Sequence, residues 1–187
     1  MSAFDPIRVY RKLAYNNALA NTRLHRACAA LRPGEFEAVR VSFFPSIKST
    51  LNHILTVDWF YVDALEGGTL GFKAFDIEEP FDTLDALSVE QNKVDRRIVI
   101  LCENLNPEAL VRVIDLHRGN RIQREQAEDV LSHLFQHQTH HRGQVHAMLS
   151  GSSVAPPQLD EFIVADDARF RGEELGTLSW DETMLMR

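Results

Sequence analysis

The stretch HLFQHQTHHRGQVH, residues 133–146, holds five of the eight histidines of this 187-residue chain. It lies within an apolar pattern of helical spacing that runs from about residue 125 to residue 151. At about 100° per residue, His137 and His141 differ by about 40° and lie one turn apart on one helix face. His133 extends the same stripe by one turn. The segment therefore predicts a long helix that presents a stripe of imidazoles.

Three further amphipathic segments precede this one. Their start and stop signals, such as Asp5-Pro6 and Gly67-Gly68, predict helices over about 6–31, 46–65 and 82–105. The loop of residues 67–82 is long and rich in Gly, Pro, Asp and Phe, and we expect it to cover a pocket. Residues 110–122 alternate and predict a small hairpin. Four long helices with at least one long connection favour an all-α helix bundle.

The end of the chain differs in composition from the helical part. It opens with Ala155-Pro156-Pro157 and then mixes apolar residues with acids. Such a segment predicts a tail that wraps the bundle or a neighbouring subunit. We therefore divide the chain into a bundle, residues 1–151, and a C-terminal extension, residues 152–187.

Composition excludes some partners. A net charge of −7 opposes a surface that neutralises phosphates, so no nucleic acid is expected to bind. No apolar run approaches the roughly 18 to 20 residues that span a bilayer, so no membrane partner is expected either. With no leader segment recognisable, the expected compartment is the cytoplasm. Cys28 and Cys102 lie in predicted helices without a C-x-x-C pair, and we expect them to be reduced core thiols.

Two imidazoles from one helix leave a metal ion short of ligands, so a metal site needs a donor from another helix. His53 is the best candidate, because it lies mid-helix among apolar neighbours. A simpler interpretation stays open: His53 is a hydrogen-bonded core histidine and the His137–His141 pair is a solvated face. Two of the remaining histidines, His133 and His140, are expected at the surface or in support of the site. The other three have no predicted partner nearby: His25, His117 and His146.

Stronger catalytic motifs are absent from the sequence. There is no H-E-x-x-H motif of zinc proteases and no E-x-x-H motif of di-iron bundles. No glycine-rich phosphate loop and no G-x-S-x-G elbow occur.

The histidine segment closely resembles the last-helix signature of the DinB family of damage-inducible bacterial proteins, also called the DinB/YfiT-like superfamily. Two other stretches agree with that family: Y-N-N-A-L-A-N in helix one and S-I-K-S-T-L-N-H-I in helix two. The resemblance covers roughly residues 5–150, in order and at compatible spacing. The combination of H-x-x-x-H-R-G-Q with an upstream N-H-I is fairly specific.

The resemblance implies a four-helix bundle with a crossover connection that forms a homodimer and holds one divalent metal. Carried onto this sequence, the metal ligands are His53, His137 and His141, the same three that spacing proposes. Nickel or zinc is expected first, with iron or manganese as alternatives. Arg142 and Gln144 belong to the same signature, but the resemblance carries no role over to them; our structural interpretation is that Arg142 pairs with a carboxylate such as Asp58, and that Gln144 supports the site from the next turn.

Characterised relatives include transferases and isomerases that use small-molecule thiols such as mycothiol, bacillithiol or glutathione. One hypothesis is therefore a metal-dependent enzyme that activates such a thiol, or water. The alternative is a non-catalytic metal-binding stress or scaffold protein. An open metal position favours the enzyme, whereas a fourth protein ligand, from His133, Asp58 or a tail carboxylate, favours the structural role.

Overall fold

A computed structural model describes residues 5–187 of the chain, and its main feature is a bundle of four long helices. The long helices are α1 (Arg8–Ala29), α2 (Ile47–Leu65), α3 (Leu84–Glu103) and α5 (Ala127–Leu149). A short helix, α4 (Pro107–Leu110), lies between α3 and α5 in the chain. Both α1 and α2 pack against α3 and α5. The consecutive helices α1 and α2 are therefore joined by a crossover connection, residues 30–46. The predicted all-α fold is confirmed.

Side-chain caps determine where the middle helices begin. The Ser46 hydroxyl accepts the backbone N–H of Ser49 at 3.0 Å and begins α2. The Thr83 hydroxyl accepts the backbone N–H of Ala86 at 3.4 Å and begins α3. Each cap satisfies one of the N–H groups that a helix start leaves without a partner. The predicted start of helix three near Thr83 is confirmed.

The core fills the space between the long helices. Leucine and isoleucine side chains that follow the helical period are fully buried there, including Leu19, Leu24, Ile54 and Leu55. Both cysteines also lie in the core as free thiols, and burial raises the pKa of Cys28 and of Cys102 to about 12. The prediction of core thiols is confirmed.

The predicted hairpin is present, but its position differs from the prediction. Strand β1 (Val113–His117) pairs antiparallel with β2 (Ile122–Gln126), with Val113 opposite Gln126. The second strand occupies residues that the apolar pattern assigned partly to the start of the last helix. Its alternating residues I-Q-R-E-Q have no core-facing stripe of their own, so pairing with β1 determines their conformation. Accordingly, α5 begins at Ala127.

The C-terminal extension is folded. It contains a 3-10 helix (Ala165–Phe170) and two short helices, α6 (Gly172–Leu178) and α7 (Glu182–Met186), and the latter two pack against α1. Phe162 is buried in the core cluster. The tail therefore wraps its own bundle, one of the two predicted arrangements. No helix among residues 5–187 combines the length and the apolar composition that a bilayer crossing requires.

Candidate metal site

Three imidazoles from two helices meet between α2 and α5. His53 Nε2 lies 3.0 Å from His137 Nε2, and ligand nitrogens of these two residues and His141 all lie within 4.8 Å of one another. An ion that binds imidazole at about 2.0–2.1 Å places its nitrogen donors roughly 3.0–3.4 Å apart. The closest pair has this spacing, and the three residues form a group that could hold a single divalent ion.

Helix geometry explains this convergence. His137 and His141 lie one turn apart on α5, and their ring centroids are 4.4 Å apart. The packing of α2 against α5 brings the His53 ring within 5.0 Å of the first and 4.6 Å of the second. Spacing alone located the pair on α5, and the third member depends on how the two helices are rotated against each other.

Burial keeps these imidazoles neutral. Desolvation, with a smaller contribution from His141, lowers the pKa of His53 to about 4. Desolvation and the neighbouring histidines lower the pKa of His137 to about 3, and burial also lowers the pKa of His141. A metal binds the neutral form of imidazole through a free nitrogen lone pair. At neutral pH the group therefore offers three unprotonated donors.

Gln144 orients His141 from the next turn of α5. Its Oε1 accepts a hydrogen bond from His141 Nδ1 at 2.8 Å, and its Nε2 donates to His140 Nε2 at 3.0 Å. With the proton on Nδ1, the Nε2 lone pair of His141 is free for a metal ion. This contact agrees with the predicted support by Gln144, and it gives the exposed His140 a place behind the site.

The other histidines are not part of the three-residue group. His133 stacks on His137 with ring centroids 6.2 Å apart, and the buried Nδ1 of His137 has no hydrogen-bond partner among residues 5–187. His25 is a core histidine whose Nδ1 lies 2.9 Å from the Ser88 hydroxyl. His117 ends β1, and His146 lies on α5 beyond the site.

Sequence analysis missed Phe44, which lies beside the imidazoles. Its ring centroid is 4.3 Å from that of His53 and 5.6 Å from that of His141. The expected cover, residues 67–82, instead makes its aromatic contacts with Trp59 and Phe60. The F-F-P sequence before α2 indicated only the start of a helix. The place of Phe44 beside the site could not be predicted, because tertiary contacts determine where a connection lies on the bundle.

The predicted Arg142–Asp58 ion pair is not formed directly. Arg142 is buried behind the histidine face of α5, and its Nη1 donates to side-chain oxygens of three amides, Asn17, Asn21 and Gln138. Gln138 in turn donates to Asp58. The prediction was wrong in its detail, because amide side chains from α1 and α5 occupy the space around the guanidinium.

Two buried carboxyl groups complete this polar network, which spans all four long helices. Asp95 accepts hydrogen bonds from Asn17, Asn21 and Gln91, and Gln91 also donates to Asp58 at 2.8 Å. Desolvation raises the pKa of Asp58 to about 8, with a further contribution from Asp95, and raises the pKa of Asp95 to about 6. Among residues 5–187, Asp58 Oδ1 and Gln91 Oε1 are buried acceptors without a partner.

The fold and the site together define a class of protein: a helix bundle with a cluster of three imidazoles that could hold one divalent metal ion. The sequence comparisons identify the family. The family model described as DinB family matches residues 3–174, and the chain belongs to this family. The match extends beyond residue 151 into the C-terminal extension.

Two relatives from Bacillus subtilis are similar to this chain. Protein DinB of strain 168 is 23% identical over 155 residues, which cover 80% of this chain and 89% of that protein. The crystal structure of a DinB-like protein, YjoA, matches with a TM-score of 0.54 at 18% identity. That match covers 82% of this chain and 97% of YjoA. At this identity the structural likeness supports the bundle fold alone.

Proposed function

We propose that His53, His137 and His141 bind one divalent metal ion, Zn²⁺ or Ni²⁺, and that this ion serves a reaction. The observation that carries the proposal is the approach of three neutral imidazole donors to within 4.8 Å. Among residues 5–187, no fourth His, Cys, Asp or Glu belongs to this group. A site with three protein ligands keeps a position for water or substrate, as catalytic metal sites do.

The residues that the sequence offered as a fourth metal ligand contact other groups instead. Asp58 accepts hydrogen bonds within the buried network. The tail carboxylates Glu161 and Glu174 pair with Arg23 on α1. The His133 ring lies tilted against the Tyr61 ring, with centroids 5.2 Å apart. These contacts favour an open site over a closed structural one.

A bound divalent ion supplies Lewis acidity, which lowers the pKa of a bound water toward about 7 or holds a small thiol as its thiolate. The residues of this chain hold and shape the site. Gln144 fixes the proton of His141 on Nδ1. The Phe44 ring lies against the His53 ring on one side of the imidazoles. On the adjoining face of α5, about 100° around the helix, Gln138 and Arg142 fix the helix through the buried network.

Metal content tests the proposed ligands. We expect about one ion per chain in the protein after Zn²⁺ or Ni²⁺ loading and gel filtration. His53→Gln, His137→Gln and His141→Gln should each lose most of it, because two imidazoles bind a metal far more weakly than three. His146→Gln, on the same helix but outside the group, is the matched control and should keep its ion. Equal metal content in all five proteins would refute the proposed ligands.

An exchangeable coordination position separates a catalytic role from a structural one. In the Co²⁺-loaded protein, azide should bind and change the visible absorption spectrum, because three protein ligands leave room for an anion. A spectrum that azide does not alter would indicate a closed site and favour the non-catalytic role. The thiol or water reaction would then be excluded.

A further inference from the structure

The connection between α1 and α2 exposes apolar side chains at alternating positions. Val39, Val41 and Phe43 are 85%, 107% and 81% exposed. Single exposed apolar residues are common on protein surfaces, but three within five residues form a local patch. Such a patch is a candidate for contact with another molecule.

Backbone hydrogen bonds hold this connection in place. The N–H of Arg40 donates to the carbonyl of Pro45 at 2.7 Å, and the N–H of Lys48 donates to the carbonyl of Phe36 at 3.0 Å. These two bonds close residues 36–48 into a defined loop. Its apolar side chains are therefore presented from a fixed backbone.

The exposed patch is continuous with the metal site. The Phe43 ring packs edge-on against Phe44, with centroids 4.9 Å apart. Phe44 then contacts the rings of His53 and His141, at 4.3 and 5.6 Å. A molecule bound at the three imidazoles could therefore place an apolar group against these two phenylalanines.

We infer that Val41, Phe43 and Phe44, here called the apolar lip, bind an aromatic or similarly apolar group of the substrate. Phe44 is then a specificity-determining residue. This inference rests on the proposed function, since it concerns the substrate of the metal site. A strongly charged group placed against these side chains would lose hydration without gaining a partner, so the lip selects against such substrates.

A small ligand suits the lip better than a protein partner does. A stable protein interface buries about 800 Å² on each side. Three side chains supply only a fraction of that area. One face of an aromatic ring, by contrast, can be covered by two phenylalanine side chains beside the site.

Two hydroxamates that differ only in their apolar group test the inference. Acetohydroxamate and benzohydroxamate are titrated into the Co²⁺-loaded full chain, and binding is followed by the visible spectrum. Intrinsic differences between the two compounds cancel when variants are compared. The preference is the ratio of the acetohydroxamate Kd to the benzohydroxamate Kd. We expect this ratio to be about tenfold higher in wild type than in Phe44→Ala. Burial of roughly 60 Å² of apolar surface gives this factor.

Two further variants keep the test independent of folding. Phe43→Ala changes a ring that is 81% exposed, so the fold should be unaffected, and part of the preference should be lost. Phe170→Ala is the matched control: this ring is 47% exposed in the tail, where it packs under Arg169, and the preference should be unchanged. Acetohydroxamate affinity should be the same in wild type and Phe170→Ala.

The contrary outcomes are distinct. A chain that takes up no Co²⁺ overturns the proposed function and this inference with it. Normal Co²⁺ spectra with equal preference in wild type, Phe43→Ala and Phe44→Ala overturn the inference alone, as does tighter benzohydroxamate binding by Phe44→Ala. If Phe43→Ser changes the oligomeric mass and leaves the preference intact, the lip is an interface between copies and the inference is wrong.

Discussion

Replacing Asp58 by Asn should stabilise the protein at neutral pH, although it removes a carboxyl group from the centre of the bundle. Asp58 is fully buried, and its Oδ2 accepts hydrogen bonds from Gln91 and Gln138. Among the described residues, its Oδ1 and Gln91 Oε1 are both acceptors without a partner. The asparagine NH₂ group takes the place of Oδ1, which accepts no hydrogen bond, while the asparagine oxygen keeps the existing bonds.

The magnitude follows from the raised pKa of Asp58. Its value in the folded protein is about 8, against an ordinary value of 3.8. Between these values the folded chain holds a proton that the unfolded chain releases. The free energy of unfolding therefore falls by about 1.4 kcal/mol per pH unit as pH rises. The Asp58→Asn variant has no such loss, so it should gain up to about 4 kcal/mol at pH 7 and almost nothing at pH 4.

Urea denaturation of both proteins between pH 4 and pH 8 measures this difference. The titration of groups that do not contact Asp58 cancels, because only the difference between variant and wild type is compared. Asp95→Asn is the comparison variant, and its own pH-dependent gain should level off near pH 6, because the pKa of Asp95 is raised only to about 6. Both Asp95 oxygens accept bonds from amide donors, so the NH₂ group of the variant would meet another donor and cost about 1–3 kcal/mol. A difference for Asp58→Asn that does not grow with pH, or destabilisation at every pH, would refute the reasoning.

Three further changes test the fold and the site. Gln144→Ala should weaken Zn²⁺ affinity by about 10- to 100-fold in a chelator competition, with unfolding unchanged, because His141 loses its orienting partner; unchanged affinity would exclude that role. Arg23→Ala should lower the free energy of unfolding by about 3 kcal/mol and expose the tail to limited proteolysis, because Glu174 is fully buried; a tail that stays protected would show that apolar packing holds it. Ser46→Ala should cost about 1 kcal/mol in a denaturant titration through loss of the α2 cap, and a loss below a few tenths would count against the cap.

The long helices could be predicted because each carries enough turns of apolar periodicity. The short helices could not be predicted. The tail helices Gly172–Leu178 and Glu182–Met186 have only one or two turns, and isolated helices of that length are unstable. They depend on ion pairs with distant residues, such as Arg23 with Glu174 and Arg171 with Glu182. Contacts of this kind leave no local pattern in the sequence.

The candidate metal site likewise has residues that could be predicted from the sequence and residues that could not. The stripe of His137 and His141 is a local consequence of four-residue spacing and could be predicted without a structure. The approach of His53 depends on the rotation of α2 against α5; its mid-helix position among apolar residues made it the best candidate, and the resemblance to the DinB family indicated the same residue. Neither source indicated Phe44, because the family signature lies on helices. The predicted ion pair between Arg142 and Asp58 was wrong, because opposite charges in a sequence do not show which amide side chains lie between them in the fold.

Diffraction from a crystal of the metal-loaded protein, recorded at the absorption edge of the metal, tests the central claim most directly. We predict one anomalous peak per chain, about 2.0–2.1 Å from a nitrogen of each of His53, His137 and His141. A peak bound to other residues, or the absence of any peak between α2 and α5 in a crystal of loaded protein, would contradict the assignment.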